Sequence, residues 1–305
     1  MINIMSEKMN VVFCTDSGYF MPTSVCIASI IENNKNPIDF YVLYPFLKET
    51  EIFFLKNLIS KYGTQYSIQF IKIEEKTFND LPIYGRSKAA YYRLLIPSVL
   101  PKGLDRCLYL DGDTIVYKSL EKFYNSNFEG KAFIVNEDMG EVMFYHKERH
   151  SVLKIPQEYK YFNSGVLLFN LDWFKNFNMN VVYEWIKNNT DKLKFLDQDV
   201  LNANFYDKVK YTEGFMNDYL EILPNPLLPN ENMEKATIIH FLKKPWKWDY
   251  NGKNASYWWK YGEEIYPCKY WRFLIVNFLF RKFIDLLLIF VSIDFLKKIK
   301  KLIKK

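Results

Sequence analysis

The chain has 305 residues, of which 49% are hydrophobic and 18% aromatic, and its formal net charge at pH 7 is +6. A chain of this length and apolar content can bury a large core, so the composition excludes an intrinsically disordered protein and fits one α/β domain with an appendix. Residues 269–305 contain ten Lys and Arg against two Asp, which leaves residues 1–268 at −2, and this distribution disfavours a protein that binds nucleic acid.

Strands and helices alternate along the first part of the chain. The apolar run at residues 9–14 predicts a buried strand, and the spacing of apolar residues over 22–31 predicts a helix after it. A strand at 38–44, an amphipathic helix at about 48–62 and a strand at 67–73 follow. This alternation predicts a Rossmann-like, mostly parallel sheet with helices on both faces, which binds ligands at the carboxyl ends of its strands.

The second part of the chain continues the pattern without an internal repeat or a low-complexity linker. We expect, in order, a helix at 87–95, strands at 106–110, 132–135 and 166–170, and a helix at 172–188. The pattern ends near residue 266. We therefore predict a globular domain at 9–266 and a basic, apolar tail at 267–305.

Two carboxylates follow the strand that ends at residue 110. Asp111 and Asp113 flank Gly112, and such a pair can bind a hard divalent cation and, with it, a diphosphate. Gly112 has no Cβ, so the backbone there can approach a ligand closely or adopt a positive φ. The alternative is a hairpin turn, because Asp-Gly between hydrophobic residues is a common turn signal. The motif alone does not decide between the two.

Six segments, in order, resemble the retaining glycosyltransferases of family 8, especially the lipooligosaccharide α-galactosyltransferases and related bacterial glucosyltransferases. The segments are VVFCTDSGYF near the start, SKAAYYRLLIPSVLP at 87–101, YLDGDTIV at 109–116, YFNSGVLLFNLDWF at 161–174, FLDQDVLN at 195–202 and IIHFLKKPWKW at 238–248. The resemblance implies a GT-A fold and a UDP-galactose or UDP-glucose donor. It also implies a Mn²⁺ or Mg²⁺ cofactor and a saccharide or lipid-linked saccharide acceptor, in the synthesis of a cell-surface glycan such as lipopolysaccharide.

The resemblance assigns Asp111, Asp113 and His240 as metal ligands. An imidazole beside two carboxylates shifts the preference from Mg²⁺ toward Mn²⁺. Taken alone, His240 is more often a hydrogen-bonded histidine at a strand end. Lys244 would contact the diphosphate as a point charge, its alternative being a solvated lysine. The family usually has a glycine between this histidine and the Lys-Pro-Trp; here the loop is shorter and lacks glycine, and Lys243 is a candidate to compensate.

The resemblance also implies a donor site. Asp16 would accept the imide N–H of uracil and Tyr19 would lie near that base, whereas the alternatives are a turn or cap residue and simple packing. Arg93 would reach the donor sugar or form a structural ion pair, and Asn163 would bind sugar hydroxyls or occupy a turn. The expected UDP-sugar-binding residues are Cys14, Thr15, Asp16, Tyr19, Arg93, Asp111, Gly112, Asp113, Asn163, Ser164, Asp197, Gln198, His240 and Lys244.

The Asp197-Gln198-Asp199 segment is the expected catalytic segment. In the family the first aspartate binds sugar hydroxyls and the glutamine lies beside the anomeric carbon; the alternative for Asp197 is a helix N-cap. An amide oxygen carries no charge and is a poor nucleophile, so we favour front-face attack with Gln198 in an electrostatic role. Asp199 is the alternative nucleophile, and Asp138 is expected on the acceptor side.

Two other functions remain open to the sequence. The first is a non-catalytic protein that binds a nucleotide sugar at a membrane surface, although the two aspartates, His240 and Gln198 together argue against it. The second is nucleotidyl transfer, which requires a glycine-rich phosphate loop near the first strand. The segment at residues 16–18 contains one glycine, so this reaction is disfavoured.

The tail and the cysteines predict where the protein acts. Charge-free runs in the tail do not exceed eight residues, against roughly 20 needed to span a bilayer. We expect the tail to lie on an anionic membrane surface; the alternative is a helix packed on the core with solvated lysines. The four cysteines are widely spaced and no export signal is apparent at the N-terminus. We therefore expect a cytoplasmic protein associated peripherally with the inner face of the cell membrane.

Overall fold

The computed structural model describes residues 8–84, 87–138, 145–212, 236–241, 244–247, 255–276, 278–279 and 282. The chain divides into two compact units, residues 1–242 and residues 243–305. The domain boundary that we predict at residue 266 lies inside the second unit and stays a prediction.

The larger unit contains a seven-stranded mixed sheet in the order β3-β2-β1-β4-β7-β6-β8, and β5 and β9 form a two-stranded sheet. The strands are β1 Met9–Cys14, β2 Ile38–Tyr44, β3 Tyr66–Lys72, β4 Arg106–Leu110, β5 Thr114–Val116, β6 Phe133–Glu137, β7 Phe162–Asn170, β8 Val209–Tyr211 and β9 Ile238–His240. The pairings β1 with β2, β2 with β3, β1 with β4 and β6 with β8 are parallel, whereas β7 is antiparallel to both β4 and β6. The expected mostly parallel α/β sheet is confirmed.

Helices follow most strands of this sheet. They are α1 Phe20–Asn33, α2 Glu49–Tyr62, α3 Ile96–Val99, α4 Glu121–Tyr124, α5 His146–Leu153, α6 Leu171–Phe174, α7 Asn180–Asn188, α8 Asp197–Phe205 and, in the smaller unit, α9 Ala255–Ile265, with 3₁₀ helices at Glu75–Phe78, Lys88–Leu95 and Thr190–Lys192. One predicted helix, at 172–188, is wrong, because it is divided into α6 and α7. The α-helical conformation ends at Phe174 and begins again at Asn180, where Asn178 Oδ1 accepts a hydrogen bond from Asn180 N at 3.1 Å and so satisfies an amide at the start of α7.

The antiparallel direction of β7 places its beginning at the carboxyl end of β4. Leu110 pairs with Val166, and Asp111 N donates to Gly165 O at 2.8 Å. The strand starts at Phe162, four residues before the predicted start. The residues that begin β7 therefore share one edge of the sheet with the residues that end β4 and β1.

An aromatic cluster packs α8 on the sheet. The ring centroid of Phe133 in β6 lies 4.7 Å from that of Phe169 in β7 and 5.2 Å from that of Phe205 at the end of α8. All three side chains are almost fully buried, and burial of each stabilises the fold by roughly 1.5–3 kcal/mol. The packing holds α8 against β7, and the first turn of α8 carries the Asp197-Gln198-Asp199 segment.

The smaller unit is built around tryptophans. The buried ring of Trp258 in α9 lies 5.3 Å from that of Trp246, and Trp259 Nε1 donates to Pro245 O at 3.1 Å. Residues 267–276 are helical as well. Among the described residues, no helix is both long enough and apolar enough to cross a membrane.

Candidate active site

Two carboxylates and an imidazole converge at the carboxyl end of β4. Asp111 and Asp113 lie in the connection from β4 to β5, and β5 pairs with β9 so that Thr114 lies opposite His240. His240 Nε2 is 3.1 Å from Asp113 Oδ1 and 3.8 Å from Asp111 Oδ2. One ligand atom from each residue lies within 4.8 Å of the others. This set of two carboxylate oxygens and one imidazole nitrogen suits a divalent cation such as Mn²⁺.

The glycine between the two aspartates, Gly112, allows the turn to pack closely against α1. Thr114 N donates to Asp111 O at 3.2 Å, which closes a turn, but β4 and β5 belong to different sheets, so this is not a hairpin turn. Gly112 does not have a positive φ. A Cβ on Gly112 would lie 2.3 Å from Thr23 Oγ1 in α1. The missing Cβ therefore allows the turn to approach α1, while the two carboxylates stay together at the strand end.

A second glycine leaves room for the carboxylate and imidazole group. A Cβ on Gly165 in β7 would lie 2.4 Å from His240 Cε1 and 2.7 Å from Asp111 Oδ2. Contacts this short do not occur, so a larger residue would displace one of the two side chains. Sequence reasoning missed Gly165, although the glycine of the Phe-Asn-Ser-Gly segment was a visible signal.

We expect Gly165→Ala to weaken divalent-cation binding by about 10-fold to 100-fold, the range typical of changes beside metal ligands. The physical reason is the methyl group, which would push His240 or Asp111 out of the common cluster. Calorimetric titration of the metal-free protein with Mn²⁺ measures the effect, and the thermal unfolding temperature without metal reports any loss of folding. An unchanged affinity for Mn²⁺ in a folded variant would show that the missing Cβ of Gly165 is not needed for metal binding.

Arg93 forms contacts with both the turn that carries Asp111 and Asp113 and the first turn of α8. Its side chain is 4% exposed; Nη2 lies 2.9 Å from Asp111 Oδ1 and Nε lies 3.0 Å from Asp197 Oδ2. Nη1 donates to Ser164 O and, at 3.0 Å, to Ser164 Oγ. Burial alone would lower the pKa of Arg93, but the negative charges of Asp111 and Asp197 outweigh it and raise that pKa above its usual range. The arginine is therefore a permanent cation between two carboxylates, as the ion-pair alternative requires.

Gln198 lies in a network of directional hydrogen bonds. Its Oε1 accepts from Asn163 Nδ2 and from Ser164 N, both at 3.0 Å, and its Nε2 donates to Asp138 Oδ2 at 2.8 Å. A backbone N–H can only donate, so the contact with Ser164 N determines which side of the amide is oxygen. Asn163 Nδ2 also donates to Asp138 Oδ2 at 3.2 Å. The structure thus brings Asp138, Asn163, Ser164 and Gln198 together at the beginning of β7.

Asp199, the alternative nucleophile, has both carboxylate oxygens occupied within the protein. Its side chain is fully buried. Arg149 forms a two-point ion pair with it, at 3.1 Å to Oδ1 and 2.7 Å to Oδ2, and Tyr161 OH donates to Oδ1 at 2.8 Å. Sequence reasoning missed Arg149 and Tyr161, since nothing local in the sequence marks either as a partner of Asp199.

The residues expected to bind the nucleobase lie at the carboxyl end of β1. Asp16 Oδ1 accepts from Gly18 N at 2.8 Å and from Tyr19 N at 3.0 Å, and Asp16 Oδ2 accepts from Ser87 Oγ. Asp16 is therefore a turn residue in this structure, as its alternative proposes. Tyr19 OH donates to Asp113 Oδ2 at 3.4 Å. This contact brings the expected base site close to the aspartate pair, while both nucleobase roles stay predictions.

Three other predicted donor-site residues have different surroundings. Cys14 ends β1, and burial raises the pKa of its thiol well above the usual range, so the thiol stays protonated. Thr15 is buried, and its Oγ1 accepts from Thr23 Oγ1 at 3.0 Å. Lys244 belongs to the smaller unit, and Lys243 lies outside the described residues. The diphosphate contacts expected of these two lysines stay predictions.

Comparisons with known proteins show which sequences and folds the chain resembles. The model of the family described as "Glycosyl transferase family 8" matches residues 10–249. A lipopolysaccharide 1,2-glucosyltransferase of Escherichia coli is 30% identical over 281 residues, which cover 87% of this chain and 80% of that protein. A lipopolysaccharide 1,3-galactosyltransferase of Salmonella typhimurium is 26% identical over 254 residues, which cover 79% and 74%.

Among solved structures, the chain is similar to the galactosyltransferase LgtC in complex with donor and acceptor sugar analogues. The TM-score is 0.72 and the sequence identity 22%, and the match covers 84% of this chain and 96% of that one. At this identity the match concerns the fold, and it confirms the GT-A architecture expected from the resemblance.

Proposed function

The chain belongs to glycosyltransferase family 8, and we propose that it transfers a hexose from UDP-galactose or UDP-glucose to a saccharide acceptor with retention of configuration. The acceptor we propose is a saccharide or lipid-linked saccharide of a cell-surface glycan, because relatives at 26–30% identity are lipopolysaccharide glucosyl- and galactosyltransferases. One observation carries the proposal. Asp111, Asp113 and His240 converge at the edge of the sheet where α/β folds bind their ligands.

Asp111, Asp113 and His240 are the residues that would hold Mn²⁺ or Mg²⁺. When bound, such a cation supplies electrostatic stabilisation of the departing diphosphate. Asp113 and His240 are 7% and 6% exposed, so their charge and lone pair act with little competition from water. Arg93 Nη2 lies 2.9 Å from Asp111 Oδ1, so the buried guanidinium fixes the position of this carboxylate by a charged hydrogen bond.

Transfer in this proposal breaks the bond between the anomeric carbon and the β-phosphate oxygen. The acceptor hydroxyl oxygen forms the new bond to the anomeric carbon on the same face. Its proton passes to the departing phosphate oxygen, and UDP leaves. Gln198 acts as an oriented dipole beside the developing positive charge, and the hydrogen bonds from Asn163 and Ser164 hold that dipole in one direction. Asp197 and Asp138 provide carboxylates for sugar hydroxyls.

A screen of the purified protein against UDP-sugars with Mn²⁺ tests the proposal. Release of UDP from UDP-galactose or UDP-glucose, with the α configuration of the product assigned by NMR, is the expected result. Asp172→Asn, an exposed residue in α6 paired only with Lys175 among its described contacts, is a matched control that should retain full turnover. Tight binding of a UDP-sugar without any turnover would instead support the non-catalytic alternative.

We further propose that the tail docks the enzyme on the cytoplasmic leaflet of an anionic membrane, where a lipid-linked acceptor would be presented. The helical residues after 267 expose large apolar side chains at three- and four-residue spacing: Trp271, Leu274, Ile275, Phe278 and Leu279, which are 61%, 37%, 57%, 59% and 60% exposed. This spacing gives one apolar stripe along a helix. The excess of lysine and arginine in residues 269–305 complements an anionic surface, and each such residue contributes about 1 kcal/mol near it.

Removal of residues 271–305 is expected to release the protein from anionic vesicles while UDP-sugar hydrolysis in solution stays largely intact. Both the apolar stripe and most of the cationic charge are lost in this variant. Sedimentation with vesicles that contain phosphatidylglycerol, at low salt, measures binding, and vesicles of phosphatidylcholine alone are the control. If the full-length chain stays in the supernatant with anionic vesicles, the proposal of membrane docking is wrong.

A further inference from the structure

In the first turn of α8, the carboxylate of Asp199 accepts hydrogen bonds from the backbone that precedes the helix. Asp199 Oδ2 accepts from Lys194 N and from Phe195 N, each at 2.7 Å. Together with Arg149 and Tyr161, these amides make five hydrogen bonds to one fully buried side chain. An acidic residue in the first helical turn often reaches back to one backbone N–H before the helix. Here it holds two consecutive amides, and its charge is neutralised by a buried arginine.

Between these amides and the helix, the backbone takes an uncommon conformation. Leu196, which is fully buried, has φ 53° and ψ −123°, a region that side-chain-bearing residues rarely adopt. The next two residues are Asp197, paired with Arg93, and Gln198, bonded to Asp138 and Ser164. The bend at Leu196 therefore sets the direction in which Asp197 and Gln198 leave the chain.

Arg149 closes this arrangement from a different element. It lies in α5, is 3% exposed, and its Nη2 donates both to Asp199 Oδ2 and, at 2.6 Å, to Lys192 O. One guanidinium thus holds the chain on both sides of the bend, at Lys192 before it and at Asp199 after it. Nε also donates to Asp199 Oδ1 at 3.1 Å, so Asp199 is held by two parallel bonds from a planar fork, which a lysine ammonium cannot reproduce while it also contacts Lys192 O.

We propose that Arg149 is a positioning residue for sugar transfer: through Asp199 and Lys192 O it holds the bend at Leu196, and thereby orients Gln198 and Asp197 toward the donor sugar. The proposal rests on the proposed function. It also assigns Asp199 to the support of Gln198, since its oxygens are engaged by Arg149, Tyr161 and two backbone amides. The competing explanation is a buried ion pair that contributes only to stability or folding specificity.

Arg149→Lys tests the proposal because it keeps the positive charge and removes the fork. We expect kcat to fall by about 10-fold to 100-fold, the scale of an error of roughly 1 Å in the position of a reacting group, while KM for the UDP-sugar changes less than about threefold. Tyr161→Phe, which removes one hydrogen bond to Asp199 and leaves the ion pair, should cause a smaller fall of kcat in the same direction. It serves as the second variant if Arg149→Lys does not fold.

Arg106→Lys is the matched control. Arg106 also pairs with an aspartate, Asp105, at 2.9 Å, and also donates to two backbone carbonyls, Tyr124 O and Ser126 O. It lies at the start of β4, at the opposite end of that strand from the aspartate pair. Arg106→Lys removes similar guanidinium contacts far from Gln198, so we expect its kcat to stay unchanged. Because the Arg106–Asp105 pair is more exposed than the Arg149–Asp199 pair, its loss should also lower the unfolding temperature less.

Hydrogen exchange supplies a readout that does not depend on activity. Amides of residues 192–202 should exchange faster in Arg149→Lys than in the Arg106→Lys control, because Lys194 N and Phe195 N lose their well-placed acceptor. Unchanged exchange over this segment, or a folded Arg149→Lys variant that keeps kcat within twofold, would overturn the proposal. If the wild-type chain turns over no UDP-sugar, the proposed function fails, and the exchange measurement alone decides whether Arg149 holds the bend.

Discussion

Replacing Asp113 with asparagine is expected to abolish sugar transfer while the fold stays intact. Asparagine has the same shape but no charge, and the carboxylate lies 3.1 Å from His240 Nε2. Loss of a ligand from a divalent site that stabilises a diphosphate leaving group removes several kcal/mol of transition-state stabilisation, which corresponds to about 10³-fold or more in rate. Asp111→Asn should have the same effect on turnover, but it also removes one of the two carboxylates that pair with Arg93.

The measurement is UDP release with saturating Mn²⁺, together with circular dichroism to verify folding. Asp105→Asn is the matched control, because Asp105 precedes the same strand and its carboxylate pairs with Arg106 outside the aspartate and histidine group. The wild-type chain should lose its activity in excess chelator and recover it when Mn²⁺ is added back. Unchanged turnover in Asp111→Asn or Asp113→Asn, or full activity in excess chelator, would remove this metal site from the mechanism.

Gln198→Ala is expected to slow transfer by about 10-fold to 10³-fold, or roughly 1.4–4 kcal/mol of transition-state stabilisation, with little change in donor affinity. The variant removes an oriented dipole and leaves Ser164 N without its acceptor on Gln198. It also releases Asp138 Oδ2 from Gln198 Nε2. We therefore expect kcat, and not the Kd for the UDP-sugar, to carry the effect.

The control for this prediction lies on the same helix. Asn204→Ala in α8 removes an amide whose described hydrogen bond goes to the helix backbone, at Val200 O, and it should leave kcat unchanged. Single-turnover kinetics separate transfer from product release. A glycosyl adduct on Asp199, trapped and identified by mass spectrometry, would exclude the front-face mechanism, and a Gln198→Ala variant with wild-type kcat would exclude the role of the dipole.

Much of the fold follows from local patterns in the sequence. The strands at residues 9–14 and 38–44 have the predicted bounds, because continuous apolar runs between turn signals have few other stable conformations. The helix predicted over 172–188 is wrong at residues 175–179, which separate α6 from α7; there the side chain of Asn178 accepts from the backbone N–H of Asn180 at the start of α7. At residues 87–95 the sequence predicts a helix but not its type, and the structure has a 3₁₀ helix at Lys88–Leu95.

The candidate site was predictable to the extent that its residues lie in recognisable segments. The order of those segments identified the family, and the family model matches residues 10–249. Gly112 shows the limit of such reasoning. Its sequence context predicts either a hairpin turn or a close approach to a ligand. In the structure, a Cβ at this position would instead clash with the side chain of Thr23 in α1. The sequence of a turn does not show which other part of the chain packs against it.

The sequence by itself determined the α/β class, the order of the elements, the aspartate pair after β4 and the membership of the family. These depend on the periodicity of apolar residues and on short segments, which are properties of neighbouring positions. The tertiary structure alone decided that His240 lies opposite Thr114, that Gly165 leaves room for the imidazole, and that Arg149 pairs with Asp199. Such pairings join positions 50 or more residues apart, and they are set by strand register and by the need of each buried charge for a partner, neither of which a single sequence displays.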